Sequence, residues 1–310
     1  MGVSSGQATI RLGTRSSPLA RWQAEWVAAR LTTLGVQVEM IHITTQGDVT
    51  TGPLGQIGGQ GLFTKEIQRA LLDQRIDLAV HSLKDLPTDV VPGLKIAAVP
   101  VRESTADVLV GRYSSLEELP QGARVGTGSL RRRAQLLNKR PDLQLLEIRG
   151  NVDTRLRKLD AGDYDAIVLA QAGLSRLGYA ERIAYVIPPQ TMLPAVGQGA
   201  LGLETRSDDV QTLSLLQPLN DEATHSAVIA ERTLLHSLRA GCLAPVGAWA
   251  RMTERGMLLQ AAVLHPDGTQ KLVAEALAPP QQAEALGRDV AQALIDQGAT
   301  ALISAAHANR

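Results

Sequence analysis

Apolar positions in the first part of the chain follow two alternating spacings. Short apolar runs typical of buried strands are separated by stretches in which apolar residues recur at helical spacing. The first helix has strong local signals, since Ser17 can cap it, Pro18 suits its first position and Gly35 suits its end. The predicted strands are 8–13, 36–43 and 77–81, and the predicted helices are 18–34 and 63–74.

The next stretch repeats this plan. We predict strands at 124–127, 144–148 and 165–170, and helices at 130–138 and 154–159. Residues 11–14 (RLGT) resemble 124–127 (RVGT), and 72–80 (LDQRIDLAV) resemble 159–168 (LDAGDYDAIV). The order of these matches favours two similar α/β lobes with a cleft between them, where strand ends and helix N-termini would bind a ligand.

The last third of the chain has a different pattern. Residues 193–204 (LPAVGQGALGLE) are predicted to cross back to the first lobe, and a helix at 221–238, three strands and a helix at 281–297 follow. We therefore expect three domains. They are residues 1–99 with 200–219, residues 100–199, and an α+β domain of residues 220–310.

Composition narrows the function classes. The 310 residues carry no net charge and only 3% aromatics, so the core is expected to be aliphatic, and neither a nucleic-acid nor a membrane partner is expected. Residues 124–158 nevertheless hold ten Lys or Arg against three Asp or Glu, a local excess that needs an explanation. The single cysteine and the absence of a signal-peptide pattern lead us to expect a cytoplasmic protein.

Arginines recur where predicted strands meet predicted helices. Ser129 is a plausible helix cap, which places Arg131 and Arg132 in the first turn, where the helix dipole disfavours cations. Further arginines, Arg149, Arg155 and Arg176, follow similar junctions. Either these residues form a solvated basic face, or they bind an anion together with backbone N–H groups.

Residues 81–87 (HSLKDLP) follow an apolar strand, so Ser82, Lys84 and Asp85 are expected at its carboxyl end. Lys84 and Asp85 could be a solvated ion pair. Alternatively, Asp85 is a buried carboxylate that stabilises positive charge on a reacting group.

Two other features allow two interpretations each. Five glycines between Gly52 and Gly61 suggest a flap that ends near Phe63, which could stack on a flat ligand or pack in the core. Cys242 could be a small buried apolar residue, but its Gly- and Pro-flanked loop after a helix also suits covalent attachment.

Seven motifs occur along nearly the whole chain: RLGTR (11–15), GGQGLFTKE (58–66), HSLKDLP (81–87), GTGSLRR (126–132), RGNVDTR (149–155), LPAVGQGALG (193–202) and ERTLLHSLRAGCLAP (231–245). In their order and approximate spacing, these motifs resemble those of the porphobilinogen deaminase (hydroxymethylbilane synthase) family.

The resemblance implies an α/β fold of two similar periplasmic-binding-protein-like lobes with a cleft, plus a small α+β C-terminal domain. It implies a transferase in haem biosynthesis that joins four porphobilinogen molecules on a dipyrromethane cofactor attached to Cys242 by a thioether. Asp85 matches the catalytic aspartate. The implied cofactor- and substrate-binding residues are Arg11, Ser82, Lys84, Thr127, Ser129, Arg131, Arg132, Arg149, Arg155, Arg176, Phe63 and Gln198.

The arginines fit this function because every pyrrole ring carries two carboxylates, which guanidinium groups recognise at two points. We expect a monomer without a metal. Departures from the family pattern fall at Gln60, Gly128, Ala240 and Ala244. The alternatives are a non-catalytic two-lobed binding protein for a polycarboxylate and, less consistent with the zero net charge, a nucleic-acid-binding protein.

Overall fold

The computed structural model describes residues 8–45, 64–241 and 244–308. The chain forms two compact units, one of Met1–Val101 with Ala200–His225 and one of Arg102–Gly199 with Ser226–Arg310. In chain order the elements are β1 (Thr9–Thr14), α1 (Pro18–Thr33), β2 (Gln37–His42), α2 (Lys65–Leu72), β3 (Leu78–Ser82), β4 (Leu94–Ala98), β5 (Asp107–Gly111), β6 (Arg124–Gly126), α3 (Leu130–Lys139), β7 (Gln144–Leu146), α4 (Val152–Asp160), β8 (Ala166–Ala170), α5 (Gln171–Arg176), β9 (Ile183–Ile187), β10 (Leu201–Arg206), α6 (Val210–Leu216), α7 (Glu222–Ser237), β11 (Val246–Thr253), β12 (Gly256–Leu264), β13 (Lys271–Ala278), α8 (Ala283–Asp296) and α9 (Ala299–Ala308).

The first unit is built on a five-stranded sheet in the order β2-β1-β3-β10-β4. Strands β1, β2 and β3 are parallel, whereas β10 runs antiparallel to both β3 and β4. Helix α1 begins as predicted, because Ser17 Oγ accepts a hydrogen bond from Ala20 N and Pro18 occupies the first turn. Its buried side packs against the sheet through Ala24, Val27 and Leu31.

The second unit contains a sheet of the same plan, in the order β7-β6-β8-β5-β9. Here β6 is parallel to β7 and β8, and β5 is antiparallel to β8 and β9. The prediction of two similar α/β lobes is confirmed by this match in strand order and direction.

The internal repeat also has a structural counterpart in side chains. Arg11 donates to Asp77 from its backbone N (3.1 Å) and its guanidinium (Nη2 to Oδ1, 2.7 Å). Arg124 donates to Asp165 in the same way, from its backbone N (2.8 Å) and Nη2 (3.2 Å). Each pair, which we call an Arg–Asp staple, joins a strand to the residue that precedes its parallel neighbour.

A third sheet, β11-β12-β13, is antiparallel and packs against α8 and α9. The three predicted strands are present and α8 lies within the predicted range 281–297, so the C-terminal α+β part of the chain is confirmed. This sheet belongs to the same compact unit as the second lobe. The division of that unit into domains 100–199 and 220–310 stays a prediction.

Glu231 on α7 binds several segments of the second unit at once. Its fully buried carboxylate accepts from Arg102 Nη1 (2.8 Å) and Nη2 (3.0 Å), from Gly197 N (2.7 Å) and from Ala250 N (2.9 Å). Arg102 in turn donates from Nε to Gln198 O at 2.7 Å. Both oxygens of one carboxylate thus hold the two ends of the second lobe against the third sheet.

The cores of both units are aliphatic, as the composition predicts, and consist of Leu, Ile, Val and Ala with few larger side chains. Among the described residues, we find no helix with the length and apolarity needed to cross a bilayer.

Candidate functional site

A pocket in the first unit lies where the parallel strands β1 and β3 end. Strand β3 leads into a 3₁₀ turn at Leu83–Asp85, and α1 starts just beyond β1. Since carboxyl ends of parallel strands share one edge of a sheet, the residues after them converge there. The pocket is lined by Arg15, Ser17, Leu19, Ala20, Gln23, Thr64, Ile67, Val80, His81, Ser82 and Asp85.

Asp85 lies at the end of the 3₁₀ turn and is exposed. The prediction of a buried carboxylate is wrong, because the turn carries Asp85 beyond the end of β3. Ser82 is held in place by a hydrogen bond with the buried Gln23, whose Nε2 lies 2.8 Å from Ser82 Oγ. Lys84 is half-buried and is not among the residues that line the pocket.

The structure does not bring Arg11 to this pocket. Its guanidinium forms the Arg–Asp staple with Asp77 at the amino end of β3, the opposite edge from the pocket. Arg15, four residues later, does line the pocket. Sequence reasoning missed Arg15, although its position directly between a strand end and the cap of α1 was a usable signal.

A buried polar layer supports the pocket. His81 Nε2 lies 2.9 Å from Glu204 Oε2, and Gln68 Nε2 donates to Glu204 Oε1 at 2.9 Å. Since His81 and Glu204 are almost fully buried, these bonds satisfy polar groups that burial would otherwise leave unpaired. They connect β3, β10 and α2 directly below the turn that carries Asp85.

The second unit holds a buried charged group that we call the Asp107 cluster: Asp107, Arg131, Arg132 and Gln198. Asp107 opens β5 opposite Ala170, the last residue of β8, so the cluster lies at the carboxyl edge of that sheet. Ser129 caps α3 by accepting from Arg132 N, as predicted, and this places both arginines in the first helical turn.

Hydrogen bonds within the Asp107 cluster are short and numerous. Arg131 Nη1 donates to Asp107 Oδ2 at 2.7 Å and to Leu193 O at 2.6 Å. Arg132 donates from Nε and Nη2 to Asp107 Oδ1 and from Nη1 to Val168 O. The interpretation of these two arginines as a solvated basic face is wrong, because both are buried.

Electrostatics keep the Asp107 cluster charged. Burial alone would raise the pKa of Asp107, but the positive charges and hydrogen bonds of Arg131 and Arg132 hold it well below its usual range. Two guanidinium groups and one carboxylate leave the cluster with one net positive charge.

Two buried atoms of the Asp107 cluster lack a partner within the described residues. They are Arg131 Nε, a donor, and Gln198 Oε1, an acceptor. Gln198 Nε2 is satisfied by Thr105 O (2.7 Å) and Asp107 Oδ1 (3.0 Å). Because buried polar groups are normally paired, these two atoms indicate where a bound molecule could contribute hydrogen bonds.

The other predicted arginines of the second unit are engaged by nearby acceptors. Arg149 Nε donates to Glu147 Oε1 at 2.8 Å, and Arg155 Nε donates to Gly150 O at 2.8 Å. Arg176 donates from Nη2 to Gly199 O at 2.7 Å, and burial lowers its pKa. Thr127 adjoins the Asp107 cluster in sequence and accepts a hydrogen bond from the backbone N of Ser129.

Three predicted features, Gln60, Phe63 and Cys242, lie outside the described residues. The two departures that flank the cysteine are described. Ala240 and Ala244 are both buried in the core of the third sheet, which anchors the chain on either side of Cys242.

Asp107 is the functional candidate that sequence reasoning missed. The available signal was an acidic residue at the start of a strongly apolar run, Asp107–Gly111. A carboxylate in a buried strand is normally paired with a cation. The arginines were recognised, but their common partner lies 24 residues before the first of them.

Comparisons with known proteins agree along most of the chain. A family model described as "Porphobilinogen deaminase, dipyromethane cofactor binding domain" matches residues 10–214, and one described as "Porphobilinogen deaminase, C-terminal domain" matches residues 225–296. The chain is 50% identical over 303 residues to porphobilinogen deaminase of Laribacter hongkongensis, covering 96% of this chain and 98% of that protein.

It is also 49% identical over 304 residues to porphobilinogen deaminase of Syntrophotalea carbinolica, covering 96% of each. Among solved structures, the methionine-binding protein MetQ is 16% identical with a TM-score of 0.44, covering 70% of this chain and 92% of that chain.

Proposed function

Since the chain belongs to the porphobilinogen deaminase family, we propose that it deaminates porphobilinogen, couples four molecules head to tail on a dipyrromethane primer and releases hydroxymethylbilane by hydrolysis. The observation that carries the proposal is the Asp107 cluster, a buried group with net positive charge at the carboxyl edge of a sheet, where α/β folds commonly bind ligands. An acidic oligopyrrole is the kind of ligand that such a cluster would bind.

The residues present fit the dipyrromethane group. Its carboxylates are acceptors that could satisfy the unpaired Nε of Arg131, and its pyrrole N–H groups are donors that could satisfy Gln198 Oε1. When bound, the group supplies the free pyrrole carbon to which each incoming ring is joined. We propose Cys242, the only cysteine of the chain, as its attachment point.

The arginines bind and orient the acidic side chains in this proposal. Arg131 and Arg132 are held in fixed planes by Asp107, whereas Arg149 and Arg155 are more exposed and have local acceptors that a carboxylate could replace. Preorganised guanidinium groups lose little freedom on binding, which favours recognition of several carboxylates along one chain. Ser82, Lys84, Thr127, Ser129, Arg176, Gln198 and Phe63 stay in the proposed binding set, and Arg15 joins it through the pocket of the first unit.

Asp85 is the proposed catalytic residue. Loss of ammonia from porphobilinogen leaves positive charge on the substrate, and a carboxylate near the ring N–H lowers the free energy of that state. A single group of this kind contributes on the order of 3–4 kcal/mol to the transition state. The position of Asp85 at the exposed end of its turn supports this role, because a substrate can reach it directly.

Intact mass spectrometry of the purified protein tests the tethered cofactor. We expect an additional mass of two linked pyrrole rings that maps to Cys242 and is absent from Cys242→Ser. Active protein with an unmodified Cys242 would contradict the proposal.

Turnover of porphobilinogen tests Asp85. Asp85→Asn is expected to keep the two-ring mass and to lower kcat by about 10²–10³-fold, the effect of removing one preorganised charge-stabilising group. Asp89→Asn, an exposed acidic residue four positions further on, is the matched control and should turn over normally. A non-catalytic binding protein would instead bind porphobilinogen without releasing ammonia in any of these forms.

The proposal also includes the cellular location and the oligomeric state. We propose that the protein acts in the cytoplasm and as a monomer. Light scattering at several protein concentrations tests the second point, since a mass near 33.0 kDa at all of them is expected.

A further inference from the structure

One carboxylate organises the cationic edge of the second unit. Asp107 is completely buried and opens β5, a strand that is held on both sides by β8 and β9. Its Oδ2 accepts from Arg131, and its Oδ1 accepts from Arg132 and Gln198. The backbone at Asp107 is thus fixed, and three side chains take their orientation from it.

This arrangement uses the donors of the two arginines unequally. Arg132 has all three guanidinium nitrogens engaged, by Asp107 and by Val168 O. Arg131 uses Nη1 for Asp107 and Leu193 O, while its buried Nε has no acceptor within the described residues. A cluster with a purely structural role would be expected to pair all of its buried donors. The unpaired Nε therefore indicates a ligand.

Charge leads to the same conclusion. With two guanidinium groups and one buried carboxylate, the cluster carries a single net positive charge. One additional carboxylate at Arg131 Nε would neutralise the cluster and give that nitrogen the acceptor it lacks. A second carboxylate would find no remaining positive charge in the cluster to neutralise.

We propose that Asp107 is a positioning residue of the deaminase: it turns Arg131 so that Nε meets one carboxylate of the bound pyrrole chain, which neutralises the remaining charge of the cluster. This inference rests on the function proposed above. Asp107 touches no reacting atom in this scheme and acts on the ligand entirely through Arg131.

A double-mutant cycle tests whether Asp107 acts through Arg131. Four proteins are compared, the wild type, Asp107→Asn, Arg131→Met and the double variant, for the fraction that carries the two-ring mass and for KM and kcat with porphobilinogen. Each single change is expected to raise KM about tenfold with a smaller effect on kcat, since one hydrogen bond to a charged group is lost or misdirected. The loaded fraction should fall in parallel.

The double variant should be no worse than the poorer single variant, because Asp107 has nothing left to position once Arg131 is absent. Additive effects, about a hundredfold in KM, would overturn the proposal. Asp165→Asn, which removes the carboxylate of the Arg–Asp staple in the same sheet, is the matched control and should leave KM and loading unchanged.

A second variant separates positioning from folding, since Asp107→Asn leaves two buried arginines without their counter-ion. Asp107→Glu keeps the charge but shifts the carboxylate by one methylene. We expect it to unfold near the wild-type temperature and still to show the raised KM and reduced loading. A wild-type KM in Asp107→Glu would refute positioning and leave only charge neutralisation. Failure of the proposed function differs from both, because the wild type itself would then carry no two-ring mass.

Discussion

The Arg–Asp staple of the first unit provides a quantitative prediction for Asp77→Asn. Asp77 accepts hydrogen bonds from Arg11 and from Arg206, whose Nη2 lies 3.0 Å from Asp77 Oδ1. Burial alone would raise the pKa of Asp77, but these bonds and charges lower it to about 2 from an ordinary value of 3.8. Such a shift corresponds to at most about 2.5 kcal/mol, and partial access of solvent reduces this to about 1–2 kcal/mol.

The pH dependence has a defined sign. Since the pKa of Asp77 is lower in the folded than in the unfolded protein, its contribution is complete above the unfolded value and is lost as the pH falls through the folded value. Asp77→Asn should therefore lower the free energy of unfolding by about 1–2 kcal/mol at pH 7, with about half of that difference remaining near pH 3.

Urea unfolding followed by tryptophan fluorescence measures this effect, because Trp22 and Trp26 lie on α1 of the first unit. Asp165→Asn is the control. Its partner Arg124 is 43% exposed, and no second arginine in the described part of the chain bonds to Asp165, so Asp165→Asn should cost less than Asp77→Asn. A difference that stays constant between pH 7 and pH 3, or a larger loss in Asp165→Asn, would refute this reasoning.

Two further predictions concern the pocket and the crossover between lobes. Arg15→Gln should raise KM for porphobilinogen because Arg15 lines the pocket with Asp85, whereas Arg30→Gln, on the exposed side of α1, should not; steady-state kinetics of both variants decides this. Gly199→Ala should lower the melting temperature much more than Gly178→Ala. Both glycines have positive φ, so the strain of an alanine there is common to the two variants. A Cβ at Gly199 would also lie 2.4 Å from the backbone oxygen of Glu103, whereas a Cβ at Gly178 would meet no atom within 4 Å. Equal melting temperatures would contradict the steric argument.

Local signals explain why much of the fold could be predicted from the sequence. Helix α1 has its cap and its proline next to each other at its start and a glycine just after its end, and the strands of the third sheet are apolar with clear turns. Residues 193–204 are Gly-rich and apolar, a pattern that predicts a crossover, whereas residues 201–206 form strand β10, which carries the buried polar residues Glu204 and Thr205. Their partners, among them His81 and the backbone O of Asp77, lie more than 120 residues away in the sequence.

In the candidate site too, contacts between residues distant in the sequence could not be predicted from local patterns. The pattern identified Arg131 and Arg132 as anomalous cations but did not connect them with Asp107, because only tertiary pairing brings the start of β5 to the first turn of α3. The resemblance selected Arg11 rather than Arg15 from one short motif, and the structure places Arg15 at the pocket because it follows the carboxyl end of β1. Tertiary pairing, rather than local preference, decides these points.

The carboxylate of Glu231 has a consequence for how the second unit unfolds. Because it bonds Arg102, Gly197 and Ala250 at once, opening of the third sheet would expose a buried carboxylate and arginine of the second lobe. The two parts are therefore expected to exchange their protected amide protons in one cooperative step. The order of strands and helices suggests a domain boundary between the second lobe and the third sheet. Because Glu231 bonds to both, we expect them to open together as one cooperative unit.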